Sequence, residues 1–286
     1  MNAPLPDATP ARAGWQASLD LRYERLGERC SLQFDHNGPL RVLQSLYPEG
    51  AGVCHNVLVH PPGGLVAGDT LDITGSVAPG AHALISTPGA TRFYRSEGAT
   101  ATQTVRWRLG EGARLEWLPL ETIAYSGCLG ANHWSATLAP SAELMAWEVT
   151  ALGLPDADQP FVRGQLHQRM VIDGTWRDEG RLDAADERLL DHPMGLGGQR
   201  CLGTLVLACG SAMPATRKEA LLEAVRAVLD ASEVFAAATC PNDQVLMVRA
   251  LGPRVEPVMA LLQTCWAALR PAAWGLAPVR PRIWSV

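Results

Sequence analysis

The segment nearest to a recognisable chemical motif is Gly63-Gly-Leu-Val-Ala-Gly68-Asp69-Thr70. It follows an apolar run at 57–59 and has the outline of a phosphate loop. A phosphate loop needs a lysine to neutralise the bound charge, and Asp69 stands in that place, where it would repel phosphate. Residues 71–77 then alternate polar and apolar like a strand, where a phosphate loop leads into a helix. Nucleotide binding is excluded on both counts. What remains is a glycine-rich turn that either simply joins two strands or presents Asp69 as a ligand or contact.

Other residue types invite other chemistry. A nucleophile–base pair would draw on Cys54 or Cys128 and one of seven histidines, and Cys54-His55 with His60 nearby is the best case. Neighbours on a strand point to opposite faces, so Cys54 and His55 cannot pair directly. No Gly-x-Ser-x-Gly elbow is present. The histidines His36, His55, His60, His82, His133, His167 and His192 are isolated, which encodes no tight, permanent metal site locally. Carboxylates recur among apolar residues: Glu116 beside Trp117, Glu121 after Leu120, Glu148 after Trp147, and Glu179. A carboxylate on a buried strand face is costly unless paired or solvated. Glu148 alternates with Trp147 and Val149 and so faces away from them. These acids are either solvent-facing partners of the arginines or the lining of a wet internal passage that handles a cation loosely. Oxygen donors suit the second role, since they hold nickel more weakly than imidazole or thiolate does. Residues 87–96 place Arg92 and Arg95 around Phe93 and Tyr94, a mixture enriched at protein interfaces.

The elements that must position these residues are mostly strands. The chain has 286 residues, 47% hydrophobic and 19% charged, enough to bury a substantial core and too apolar for a disordered chain. The formal net charge of -5 argues against nucleic-acid binding, and no apolar run is long enough to span a membrane. Seven dispersed cysteines without CxxC spacing exclude a disulfide framework and a structural zinc site, which points to the cytoplasm. Residues 1–16 read as a loose tail, and 17–286 as one domain. Within it, 17–200 is mostly β and 201–286 is α+β. Asp173-Gly174 predicts a type I′ hairpin. Three segments, Val77-Ala-Pro-Gly-Ala81, Leu109-Gly-Glu-Gly-Ala113 and Leu138-Ala-Pro-Ser-Ala142, recur about every 30 residues and predict stacked hairpins that share a core. Thr216 and Glu219 match a capping box for a first helix. A second helix is expected from Pro253 to about Leu269, ended by Pro271. Buried strands are expected at 234–239 and 244–250.

Taken together, several segments resemble the urease accessory protein UreD (UreH) family. They are His60-Pro-Pro-Gly-Gly-Leu-Val-Ala-Gly-Asp69, the stretch from Thr87 to Ser96, Leu115-Glu-Trp-Leu-Pro-Leu-Glu-Thr-Ile123 and Arg280-Pro-Arg-Ile-Trp284. The resemblance runs from about Ala17 to Trp284. It implies a mainly β fold, with strands stacked in a helical arrangement and two helices in an α+β C-terminal part. It also implies a non-enzymatic chaperone that binds apo-urease, recruits UreF and, through it, the GTPase UreG. Together these deliver nickel to a urease centre that also needs a carbamylated lysine. An internal tunnel is the implied route, with nickel a transient cargo and no cofactor permanently bound. Asp69 in the matching glycine motif is the implied contact, followed by Glu148, Glu179, Glu116 and Glu121. Arg92, Phe93, Tyr94 and Arg95 are partner-binding candidates, and Gly63, Gly64, Gly68, Pro88 and Gly89 shape the motif. The other readings are a clamp on urease that never touches metal, and a cysteine-dependent hydrolase built on Cys54.

Overall fold

A computed structural model describes residues 14–285. Of the tail expected over 1–16, residues 1–13 lie outside the described residues. Trp15 and Gln16 belong to the folded body: the Trp15 N–H donates to the Asp69 carboxylate at 3.2 Å, and Gln16 opens the first strand.

Period-2 alternation places strands along most of the chain. β1 (Gln16–Leu26) and β2 (Arg29–Asn37) form a hairpin and are followed by β3 (Arg41–Val42), β4 (Cys54–Val59), β5 (Thr70–Val77) and β6 (His82–Ser86). Next come β7 (Thr91–Phe93), β8 (Ala101–Leu109), β9 (Arg114–Trp117), β10 (Thr122–Ala124), β11 (Leu129–Leu138) and β12 (Glu143–Leu154). β13 (Gln159–Pro160), β14 (Gln165–Ile172), β15 (Trp176–Asp183) and the short helix α1 (Glu187–Asp191) complete the β-rich part. The C-terminal part runs β16 (Cys201–Cys209), α2 (Ala215–Asp230), β17 (Phe235–Thr239), β18 (Val245–Gly252) and α3 (Val255–Trp274).

Two sheets face each other. The first has the order β15-β14-β11-β8-β5-β1-β2, parallel from β14 to β1 and antiparallel at both edges. The second runs β17-β18-β16-β12-β9-β6-β4-β3, with β12, β9, β6 and β4 parallel. The three recurring segments are the corners of this stack. Val77, Leu109 and Leu138 align in register across β5, β8 and β11. The corners bond to one another: Gly110 N–H to Val77 O at 2.8 Å, Ala139 N–H to Leu109 O at 2.9 Å, Arg114 N–H to Ala81 O at 2.9 Å. The corner alanines Ala81, Ala113 and Ala142 are buried. The stacking is as the repeat predicts, but the pairing within a coil differs. Each corner carries the chain from one sheet to the other, and each strand pairs in parallel with its counterpart a coil away, so these turns are not hairpins. One large core fills the space between the sheets, and a second lies between the other face of the second sheet and helices α2 and α3.

Local expectations shift where tertiary contacts intervene. β14 and β15 do form a hairpin, but the link from Ile172 to Trp176 has three residues, with positive φ at Gly174 and not at Asp173, so the turn is not type I′. Pro214, not Thr216, is the N-cap of α2, and no side-chain cap forms. Proline's fixed φ starts the helix earlier and leaves Thr216 inside its first turn. α3 runs past Leu269 to Trp274 with Pro271 in its last turn, where a missing N–H removes a single bond, and Gly275 at φ 65° closes it. β17 is a half-exposed edge strand, not a buried one.

The second sheet holds α3 through a buried ionic cluster. Arg270 and Glu116 are both fully buried. Arg270 Nη2 donates to Glu116 Oε1 at 3.0 Å, and Arg270 Nη1 to Glu49 Oε2 at 2.6 Å. Trp266 Nε1 donates to Glu116 Oε2 at 2.6 Å, and His82 Nε2 lies 2.8 Å from Glu116 Oε1. Burial works against the charge on Glu116, yet His82 and Arg270 hold its carboxyl below the usual range. Truncating the guanidinium in Arg270→Ala strands two buried carboxylates. The expected outcome is a loss of about 3–5 kcal/mol of stability, read by chemical denaturation.

Candidate functional site

The glycine motif and the stretch after β6 build the rim of an opening between the sheets. Leu65 bridges to β7: its N–H donates to Arg92 O at 2.7 Å and its carbonyl accepts from Tyr94 N–H at 3.0 Å. The Tyr94 ring lies over Gly64, where an added Cβ would come within 2.3 Å of a ring carbon and 2.9 Å of the Arg92 carbonyl oxygen, so a side chain here would displace the tyrosine from the rim. Gly63 and Gly68 turn the chain at φ 75° and 83°. Asp69 is buried, and its carboxylate accepts the Val66 N–H at 2.9 Å as well as that of Trp15. It therefore pins the loop to the start of β1.

Behind this rim lies a cavity of about 150 Å³ lined by His60, Gly63, Thr87, Pro88, Gly89, Arg92, Gln103 and Trp117, among others. Thr91, Gln103, Trp117 and Pro119 also line a smaller space, about 10 Å³, that reaches Asn132, Trp134 and Glu148. That volume suits about one water. A polar string crosses the gap. Gln103 Nε2 donates to Asn132 Oδ1 at 3.1 Å, and Asn132 Nδ2 donates to Glu148 Oε1 at 3.0 Å. Thr122 Oγ1 donates to the same carboxylate oxygen at 2.8 Å. The indole N–H of Trp134, buried at the same space, has no protein partner. Among the described residues, Glu148 meets no cationic side chain. Burial pushes its carboxyl up to about 7, against the pull of the Thr122 and Asn132 hydrogen bonds. The group is thus poised between neutral and charged at physiological pH.

The structure separates the other carboxylates of the sequence reading. Glu116 sits on the far face of the second sheet, with both oxygens engaged by Arg270, Trp266 and His82. Glu121 lines a different cleft, of about 340 Å³, beside Asp156, Arg200 and Glu256. Burial and then the nearby Glu256 raise its pKa. Glu179 lies on the outer face of the first sheet against Arg177 and His167. Of the interface candidates, Tyr94 and Arg95 are exposed and Arg92 lines the rim. Phe93 is a correction: it is fully buried against Gly130 and Leu166, because β7 turns it into the core. Cys54 does not form a catalytic pair. Its thiol bonds to Asn56 Oδ1 at 3.3 Å and to Tyr47, burial raises its pKa, and His55 is engaged by Glu49 at 2.6 Å. Cys128 is likewise pushed up to about 11 by burial. Sequence reasoning missed Gln103, Thr122 and Asn132. Their inward alternation was a usable signal, but their convergence on Glu148 from 16 to 45 residues away was not.

These features define a two-sheet β stack with a hydrogen-bonded polar cluster in its interior and, among the described residues, no group of three or more side chains arranged to grip a metal. No described helix is long and apolar enough to cross a membrane. The family model for the UreD urease accessory protein matches residues 16–285. Proteins named urease accessory protein UreD from Paracidovorax citrulli, Albidiferax ferrireducens and Verminephrobacter eiseniae are each 55% identical over 274 residues, covering 95% of this chain and 99% of the relative. The chain belongs to the UreD family of urease accessory proteins.

The raised Glu148 pKa has a stability consequence. An unfolded glutamate ionises near 4.3, about three units lower, so the folded state holds the proton more tightly and stability falls as pH rises between the two values. Glu148→Gln keeps an oxygen acceptor for Thr122 and Asn132 and removes the ionisation. The variant is expected to match the parent at about pH 4 and to exceed it by about 1–3 kcal/mol at about pH 8. Urea denaturation across that range checks it.

Proposed function

We propose that this chain is a non-catalytic scaffold of urease maturation in the cytoplasm. It binds apo-urease, joins UreF and through it the GTPase UreG, and passes nickel through its own interior toward the urease active site. Membership of the UreD family supports the accessory role. The finer reading is carried by one observation: the rim cavity and the Glu148 space share Thr91, Gln103, Trp117 and Pro119, so polar groups continue from the surface into an otherwise apolar core.

Nickel is cargo on this route and not a resident cofactor. The hydroxyls of Thr91 and Thr122, the side-chain amides of Gln103 and Asn132, and a single titratable carboxylate offer oxygen donors. Such donors bind a borderline divalent ion less tightly than imidazoles or thiolates do, which favours release. Glu148 gives up its proton as the cation arrives and takes one back as it leaves. Asp69 serves the route indirectly by fixing the loop that frames its mouth. Tyr94 and Arg95, exposed beside that mouth, suit a partner docked over it.

The test is co-expression of urease and its accessory proteins with Glu148→Ala or with Gln103→Phe, which fills the shared neck. Urease nickel content and activity are expected to drop several-fold at limiting nickel, while pull-down of apo-urease stays at the parental level. Full metallation with either variant, at normal complex formation, would leave the chain as a clamp that does not handle metal.

A further inference from the structure

A second cluster lies on the solvent side of the first sheet, opposite the polar string. His133 on β11, His167 on β14 and Glu179 on β15 project from this face, where the alternating burial leaves their positions partly exposed. His133 Nε2 lies 3.0 Å from His167 Nδ1, with the rings nearly perpendicular at 87°. The other nitrogen of His167, Nε2, lies 3.0 Å from Glu179 Oε1. The nearby carboxylate favours the proton on Nε2, which leaves the Nδ1 lone pair on the side of His133.

We propose that His133 and His167 form a two-imidazole site for a divalent transition-metal ion on the outer face of the first sheet, with Glu179 as a positioning residue behind His167. Metal–nitrogen bonds of about 2.0–2.1 Å at tetrahedral or octahedral angles place two ligand nitrogens about 2.9–3.4 Å apart, and the observed gap falls within that range. A proton now bridges the nitrogens. A cation takes its place when His133 passes to its Nδ1–H tautomer, so two neutral rings bind without a net proton change. The carboxylate–histidine–metal order is the arrangement that orients metal-bound imidazoles and raises their basicity. Two protein donors leave the remaining positions to water. Arg177 bonds to Glu179 Oε2, and Arg169 lies 3.9 Å from it. Their positive charge keeps the affinity modest, and imidazole favours copper, zinc and nickel over magnesium and calcium. The site is separate from the interior route and stands or falls without it.

Titrating the purified full-length chain with Zn²⁺ by calorimetry, and with Cu²⁺ by electron paramagnetic resonance, tests the assignment. The expected result is one saturable equivalent and a copper spectrum with nitrogen coupling from two imidazoles. His133→Ala and His167→Ala should each weaken binding by at least about tenfold, and Glu179→Gln by about tenfold. Glu223→Gln, on the exposed side of α2, should bind like the parent. Circular dichroism and melting check that the variants fold, since none of the three outer residues belongs to the core. Parental stoichiometry and affinity in a His133→Ala/His167→Ala double variant, or a copper spectrum without imidazole nitrogen, would overturn the proposal.

Discussion

The C-terminal half of the molecule depends on one guanidinium. Arg270 is fully buried, and from α3 it reaches Glu116 on β9, Glu49 in the loop before β4 and the carbonyl of Ala277 past the helix end. Taking three charges out of water costs several kcal/mol per ion, and their mutual attraction only about offsets it. The consequence of such a cluster is therefore placement more than stability. Only one seating of α3 on the second sheet brings its guanidinium to both carboxylates at once. That seating covers one face of the sheet and leaves the opposite face to meet the first sheet.

The same sheet thus carries two buried glutamates with opposite electrostatics. Glu116 points toward α3 and is neutralised by Arg270 and His82, which keep it charged and fixed. Glu148 points into the gap between the sheets and finds only a hydroxyl and an amide. Hydrogen bonds from neutral groups do not repay the loss of hydration, so its carboxyl titrates at about 7. A charge-paired carboxylate is a structural part, because exchanging its partner would leave a buried ion unpaired. A carboxylate held by neutral donors can change state at small cost. The difference between the two residues lies in what faces each side of one sheet, not in their local sequence.

Much of the architecture was legible because stacking imposes a local rhythm. The alternation within strands and the corner alanines at 81, 113 and 142 are short-range features, and they carry the coil period. The direction of pairing was not legible. A tight turn between two alternating runs reads equally as a hairpin or as a corner, and what decides is whether the partner strand lies across the turn or a coil away. The site was legible in the same partial way. Alternation with Trp147 and Val149 put Glu148 on the face opposite them, and family resemblance pointed to Asp69. No sequence pattern reveals that Asp69 is occupied by backbone N–H groups, or that Arg270 arrives at Glu116 from 154 residues away. Phe93 sat in an interface-like string with Tyr94, yet one residue of strand decided that the tyrosine faces out and the phenylalanine in.

A route for an ion through a protein has to reconcile two demands. It must replace enough of the water shell for the ion to enter, and bind weakly enough at each point for it to move on. A row of permanently charged carboxylates would satisfy the first and fail the second. In the proposed passage hydroxyls and amides lead inward from the rim, where His60 and Arg92 stand, to the one carboxylate at the inner end, where its proton competes with the cation. The paired imidazoles on the outer face are of the other kind: soft enough to hold a transition metal, already at ligand spacing, and backed by a carboxylate. Placing such a pair inside the passage would trap the cargo. On this proposal the paired imidazoles lie on the solvent side of the first sheet, while the passage offers mostly oxygen donors and, at its mouth, the single imidazole of His60.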